Sequence, residues 1–153
     1  MGGESRQTLQ IFSEERLPFV NFLLDTNIII YFLRDKPGSL NLFDELLNKG
    51  RLAASLVSYG ELEYGACLSK DYKYQRERIE KFIEEVRVEI LPLTRITMEI
   101  YARIRRLLEI KGRRLDDFDL LIGAAAVENG LTLVTDNAKH FSRFPDIKLY
   151  LPS

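Results

Sequence analysis

The stretch Phe22-Leu23-Leu24-Asp25-Thr26-Asn27-Ile28-Ile29-Ile30-Tyr31-Phe32-Leu33 decides the fold. Phe22 to Leu24 is a short continuous apolar run ended by Asp25, the mark of a buried strand bounded by a polar residue. Apolar character resumes at Ile28 and runs to Leu33, where it reads as a helix. The same alternation continues downstream. Short apolar strands that alternate with helices form a parallel sheet covered on both faces.

Arg34-Asp35-Lys36-Pro37-Gly38 is a loop by its charges and its Pro-Gly pair. Ser39 is placed to cap a helix through about Lys49, with Leu42, Phe43, Leu46 and Leu47 at helical spacing and Gly50 as the stop. Leu52 to Val57 is the second expected strand. Ser58 opens the next helix, and Ser58-x-x-Glu61 has the spacing of a capping box. Residues 72–85 form a charged amphipathic helix that turns Ile79, Phe82, Ile83 and Val86 to one side. Val88 to Leu91 is a third strand, closed by Pro92.

Thr94 to Lys111 reads as a long helix with Ile96, Ile100, Ile104, Leu107 and Leu108 inside, ended by Gly112. Asp116 or Asp117 opens a helix to Glu128 that is apolar nearly all round, and so should be well buried. Leu131 to Val134 is a fourth strand, Phe141 to Pro145 a loop, and Ile147 to Leu151 a fifth strand. The expected fold class is α/β, with a mostly parallel five-stranded sheet between two helical layers. Residues 1–20 read as a polar N-terminal arm with a short helix around Leu9 to Arg16, and residues 21–153 as one domain.

The composition agrees. The 153 residues are 46% apolar and 29% charged, which rules out collagen, a disulfide scaffold and a wholly disordered chain. A formal net charge of −1 does not suggest a strongly basic nucleic-acid-binding domain, but it leaves room for a basic stripe. Cys67 is the one cysteine, so no intramolecular disulfide forms, and in its apolar run it reads as a small buried thiol. His140 is the one histidine, which argues against a zinc site with several His or Cys ligands. No apolar stretch approaches the roughly 18 residues of a spanning helix. Met1 to Arg16 lacks an apolar signal core, so the expected location is the cytoplasm.

Open parallel sheets carry their function outside the carboxyl ends of the strands, where the strand order reverses. Asp25 ends the first strand, and Asp136 follows the fourth after Thr135. Glu61 lies in the first turn of the helix after the second strand, and Asp119 in the first turn of the helix before the fourth. Taken singly, three of them have structural readings: Glu61 in a capping box, Asp119 answering a helix dipole, Asp136 in a turn. Four at one sheet edge would repel one another and raise their own pKa values, a penalty that a hard divalent cation removes. Mg²⁺ or Mn²⁺ prefers oxygen ligands, keeps several waters and needs only one or two direct carboxylates. Such a site suits phosphodiester hydrolysis better than acyl transfer, because no serine, cysteine or histidine forms an obvious nucleophile-base pair.

Four blocks carry a family resemblance: Leu23-Leu24-Asp25-Thr26-Asn27; Ser58-Tyr59-Gly60-Glu61-Leu62 with Tyr64-Gly65; Asp117-Phe118-Asp119 through Ala126; and Leu133-Val134-Thr135-Asp136-Asn137 with His140-Phe141. They resemble the four signatures of PIN domains, and in order and spacing those of the VapC toxins of bacterial and archaeal toxin–antitoxin pairs. The resemblance implies a three-layer α/β/α PIN fold and a Mg²⁺- or Mn²⁺-dependent ribonuclease, often a homodimer inhibited by a small antitoxin. It implies Asp25 and Asp119 as direct metal ligands, with Glu61 positioning a water or acting from behind them. Many members carry the fourth acid two residues after the threonine, which here is Asn137; this chain has Asp136 one residue after it. The fourth position therefore falls to Asp136 or to Asn137. Thr135 and Asn27 are expected to hydrogen-bond the carboxylates. By the same analogy, residues 27–48 and 58–86 are the expected antitoxin and dimer surfaces.

An RNA substrate needs a cationic approach. Residues 95–114 hold seven Lys and Arg against two Glu, and Arg113 and Arg114 stand just before Asp116. They are candidate phosphate contacts, with a solvated helix face as the alternative. His140 reads as structural or RNA-facing, and Tyr59, Tyr64 and Tyr72 as core or interface aromatics. The rival readings are a PIN-like module that binds without cleaving, or a solitary RNA-processing nuclease without an antitoxin. A receiver-like phosphoacceptor would want a lysine at the end of a late strand, and a nucleotide-binding fold a glycine-rich phosphate loop; the sequence offers neither.

Overall fold

The structure is a computed structural model that describes residues 19–151. Its strands are β1 (Val20–Leu24), β2 (Arg51–Ser55), β3 (Glu89–Leu91), β4 (Thr132–Val134) and β5 (Lys148–Leu149). They form one sheet in the order β3-β2-β1-β4-β5, and every neighbouring pair is parallel. The helices are α1 (Thr26–Leu33), α2 (Ser39–Lys49), α3 (Leu56–Leu68), α4 (Tyr72–Val86), α5 (Arg95–Ile110), α6 (Asp117–Glu128) and the short α7 (Ala138–Phe141). The expected class holds, with a sheet that is parallel throughout. Apart from Phe19 and Val20, the expected N-terminal arm and its helix lie outside the described residues.

Alternation along the strands sorts their side chains onto two faces. Phe22, Leu24, Leu52, Ala54 and Val134 pack with α1 to α4, through residues such as Ile28, Phe43, Leu46, Leu62 and Phe82. Leu23, Ala53, Leu91 and Leu133 lie on the other face, under Ile122, Ala125 and Ala126 of α6 and under Phe141. Helix α5 packs on α6, where Leu108 meets Leu120 and Ala124 beside Phe144. Three layers result, and apolar side chains cover both faces of the sheet.

The chain runs from β1 to β2 and β3 on one side, then returns to lay β4 and β5 on the other. The strand order therefore reverses between β1 and β4. Leu24 pairs with Val134, and the Asp25 N–H donates to the Val134 carbonyl at 2.9 Å. That bond extends the ladder by one residue, so Asp25 and Thr135 leave the sheet side by side.

Several boundaries differ from those read off the sequence. Strand β2 stops at Ser55, whose hydroxyl accepts from the Val57 N–H at 3.1 Å and caps α3. The apolar run 52–57 thus spans two elements, and Ser58 and Glu61 form no capping box. Ser39 is the first residue of α2 rather than its cap, because Gly38, at φ 90°, takes the cap position. Helix α1 starts at Thr26, two residues before Ile28. Cys67 is exposed, because the buried stripe of α3 falls on Ser58, Leu62 and Ala66. Ile96 is 56% exposed, since α5 buries Thr97 and Leu108 and half-buries Ile100 and Ile104. The expected loop 141–145 is anchored by Phe141 and Phe144, both buried in the core.

Candidate active site

Asp25 is the N-cap of α1 and is only 7% exposed. Its two carboxylate oxygens are divided between two tasks. Oδ1 accepts from the Thr26 N–H at 2.8 Å, and Oδ2 accepts from the Thr135 hydroxyl at 2.7 Å. Burial raises its pKa, the bonds from Thr135 and Thr26 pull it back, and the charge of Asp136 raises it again. The sequence marks Asp25 as a strand-ending acid and Thr135 as a hydrogen-bond donor to the acids, but gives no sign of the capping role.

Glu61 lies on α3, one helical turn after the buried Ser58. Thr26 Oγ1 sits 2.9 Å from Ser58 Oγ and 2.5 Å from Glu61 Oε1. An ionised carboxylate only accepts, so the threonine's one proton goes to Glu61. Thr26 thereby ties the acid of α3 to the start of α1. The sequence marks Ser58 as a helix cap and Thr26 as part of the first motif block, but gives no sign of the bonds that join them to each other and to Glu61, although a serine at i−3 from the acid shares its helix face.

Asp119 is in the first turn of α6, and Asp116 caps that helix by accepting from the Phe118 N–H at 3.1 Å. Burial first, then the charges of Asp25, Asp116 and Glu61, push Asp119 up to about 6, with His140 acting in the other direction. Carboxylates separated by as many as 94 positions in the chain therefore share one electrostatic neighbourhood. Asp116 belongs to it, although the sequence marks it only as a helix start. No Lys or Arg ion pair reaches Asp25, Glu61, Asp119 or Asp136 among the described residues.

Asp136 is exposed at the end of β4 and accepts a hydrogen bond from the Tyr31 hydroxyl. Asn137 is occupied differently: its N–H donates to the Thr135 hydroxyl at 2.9 Å, and its side chain meets His140 Nδ1 at 2.8 Å. Of the two candidates for the fourth position, Asp136 is the one whose charge acts on Asp25. Asn27 differs from expectation. It is exposed on α1 and makes no hydrogen bond to the acids among the described residues, because the first helical turn directs it outward. Tyr64 and Tyr72 are 65% and 47% exposed, which leaves a core role only for the half-buried Tyr59.

Arg113 and Arg114 are exposed in the loop between α5 and α6, directly before the Asp116 cap. The Arg114 carbonyl accepts from Arg143 at 3.0 Å, and neither guanidinium has an ion pair among the described residues. Arg105, in contrast, is held by Tyr101 at 2.7 Å, Glu109 at 3.2 Å and Asp117 at 3.3 Å, so it braces α5 against α6. No three His, Cys, Asp or Glu among the described residues converge into a closed metal cage. The site is instead an open set of oxygen donors. It suits a cation that takes one or two carboxylates and keeps its waters.

A parallel α/β sheet with unneutralised acids gathered at its switch point defines a class of domain, and sequence comparison specifies it: the PIN domain family model matches residues 22–147, and the chain belongs to that family. Within it, the relatives that the chain matches include VapC proteins. It is 35% identical over 129 residues to Ribonuclease VapC2 of Rickettsia felis, an alignment covering 84% of this chain and 95% of that one. It is 34% identical over 125 residues to the tRNA(fMet)-specific endonuclease VapC of Shigella flexneri, covering 81% and 92%. Among solved structures, that of VapBC2 from Rickettsia felis bound to a promoter DNA fragment matches with a TM-score of 0.78 and 31% identity. That match covers 86% of this chain and 98% of the other.

Proposed function

We propose that this protein is a metal-dependent endoribonuclease, a VapC-like toxin that hydrolyses RNA phosphodiester bonds with Asp25, Glu61, Asp119 and Asp136. The observation that carries the reading is the unpaired acid cluster at the β1–β4 switch point, in which Asp119 is pushed up to about 6. A protein gains nothing in stability from mutually repelling, half-buried acids, and functional sites are where such perturbed groups collect. The relatives named ribonuclease and endonuclease support the same conclusion.

Asp25 and Asp119 are the direct ligands in this reading. Glu61 and Asp136 hold waters around them. The donor set is all oxygen, which fits Mg²⁺ or Mn²⁺. When bound, the cation lowers the pKa of a water and stabilises charge on the phosphate during in-line displacement. The chain's own part is orientation. Thr135 and the start of α1 fix the Asp25 rotamer, and Thr26 fixes Glu61. Asp119 sits at the positive end of the α6 dipole, which favours an anion beside it. Arg113 and Arg114 take RNA phosphates near the same end, and the products are a 5′-phosphate and a 3′-hydroxyl. Asn137 supports the site through Thr135.

A small antitoxin is the expected inhibitor, in line with the VapBC complexes that the fold matches. Its expected seat is a groove of about 380 Å³ between α1, α3 and α4, with Ile30, Leu33, Leu62 and Ile79 in its wall and Glu61 at its edge. A homodimer and a cytoplasmic place of action complete the reading. No helix among the described residues is long and apolar enough to cross a membrane.

The test incubates the full chain with labelled transfer RNA in Mg²⁺, in Mn²⁺ and in EDTA, beside Asp25→Asn. Asparagine keeps the capping oxygen of α1 and removes the charge. Cleavage that needs the cation and falls by on the order of 100-fold or more in the variant is expected. Equal cleavage in EDTA, or an undiminished Asp25→Asn, overturns the mechanism.

A further inference from the structure

Three of the four acids are held by neutral hydroxyl donors: Asp25 by Thr135, Glu61 by Thr26, and Asp136 by Tyr31. The choice has an electrostatic meaning. A lysine or arginine at the same place would orient the carboxylate and also cancel its charge. A hydroxyl orients it and leaves the full charge available to a cation. Of the three links, only the one from Thr135 is expected from the sequence.

We infer that Tyr31 is a positioning residue, whose hydroxyl holds the Asp136 carboxylate toward Asp25 and thereby tightens cation binding by the acid cluster. The inference rests on the cation site proposed above.

Asp136 needs such a partner. It is exposed, it follows the last residue of the strand-end pair, and its backbone does not fix which way the carboxylate turns. Tyr31 is suited to supply one. It lies on α1, more than a turn beyond Asp25, and is half-buried against the core beneath that helix. Lys36 Nζ lies 3.7 Å from the ring centroid, and the Lys36 N–H bonds to the Tyr31 carbonyl at 2.9 Å. The cation covers the aromatic face and leaves the hydroxyl edge pointing at the acid. The fixed ring thus transfers the rigidity of α1 to a loop carboxylate 105 residues away. Tyr31 itself stays outside the ligand set.

Mn²⁺ titrated calorimetrically onto the full chain, without RNA, tests this in wild type, Tyr31→Phe, Asp136→Asn and the double variant. Tyr31→Phe keeps the ring, its packing and its contact with Lys36, and thermal unfolding of the metal-free proteins verifies that all four fold. Tyr31→Phe is expected to weaken Mn²⁺ binding about three- to tenfold. Asp136→Asn should weaken it at least as much, and the double variant no further, because the tyrosine acts through the acid. A merely structural role for Tyr31 gives a loss that persists in the Asp136→Asn background, and that result overturns the inference, as does Tyr31→Phe binding like wild type. Asp25→Asn separates the two levels. If it abolishes binding while Tyr31→Phe has no effect, the cation site stands and the positioning role falls. If wild type takes up no Mn²⁺, the cation site falls and the positioning role with it.

Discussion

At Asp119, burial and three neighbouring carboxylates act in one direction and raise its pKa from the ordinary 3.8 to about 6. The folded state therefore holds this proton more tightly than the unfolded chain does. The stabilisation is fully present below about pH 3.8 and is lost as the pH rises through about 6. Thermal unfolding without divalent cations should show it: between pH 4 and 7 the wild-type midpoint falls relative to that of Asp119→Asn, which lacks the titrating group. An identical pH dependence in both proteins contradicts the assignment. Protons also compete with the cation, so Mn²⁺ affinity should drop below about pH 6 and do so less in Asp119→Asn. At this scale the acids and Thr135 were legible in the sequence, and the other holders were not. Asp25 ends an apolar strand, and Thr135 precedes another acid after a second strand, so position alone marked them. Thr26, Ser58 and Tyr31 reach their partners across 32 to 105 residues. No period or spacing announces a bond of that kind.

Elements were legible where one residue both ends a pattern and starts another, and illegible where two elements share a composition. Gly50 and Gly112 closed helices as read. The run Leu52 to Val57 concealed the passage from β2 to α3, because strand and helix are both apolar there and only the Ser55 cap divides them. Helix α6 was legible as buried, but its closeness to Phe144 was not. A Cβ built on Gly123 would lie 2.7 Å from two carbons of that ring, and the ring is 2% exposed, with little room to withdraw. Gly123→Ala is therefore expected to destabilise the fold by about 1–3 kcal/mol from overpacking, less about 1 kcal/mol regained in helix propensity. Urea unfolding measures the difference, and a variant more stable than wild type shows that Phe144 can yield. The cost would reach the acid cluster, since Asp119 stands on α6 one turn before Gly123.

For the whole molecule, a net charge of −1 conceals a local excess of cations. The structure divides that excess: Arg105 is spent on internal ion pairs, while Arg113 and Arg114 stand exposed beside the cap of α6. Composition could count these side chains but not say which were already engaged. If the exposed pair contacts phosphates, Arg113→Ala with Arg114→Ala should weaken RNA binding and flatten the slope of log affinity against log salt by about 1.4. Filter binding across a salt series measures that slope, and an unchanged one places the RNA elsewhere. The reversal of strand order has a consequence of its own. Asp25 and Glu61 precede Pro92, which follows the edge strand β3, and Asp119 and Asp136 come after it. A chain divided at Pro92 would give two fragments, each with two of the four acids Asp25, Glu61, Asp119 and Asp136 and one strand of the β1–β4 seam. Neither half would hold the acid cluster by itself. Brought together by fused partners, they would restore the β1–β4 seam and the acid cluster across it, so that the proposed nuclease activity becomes a two-key lock for reporting when two other proteins meet.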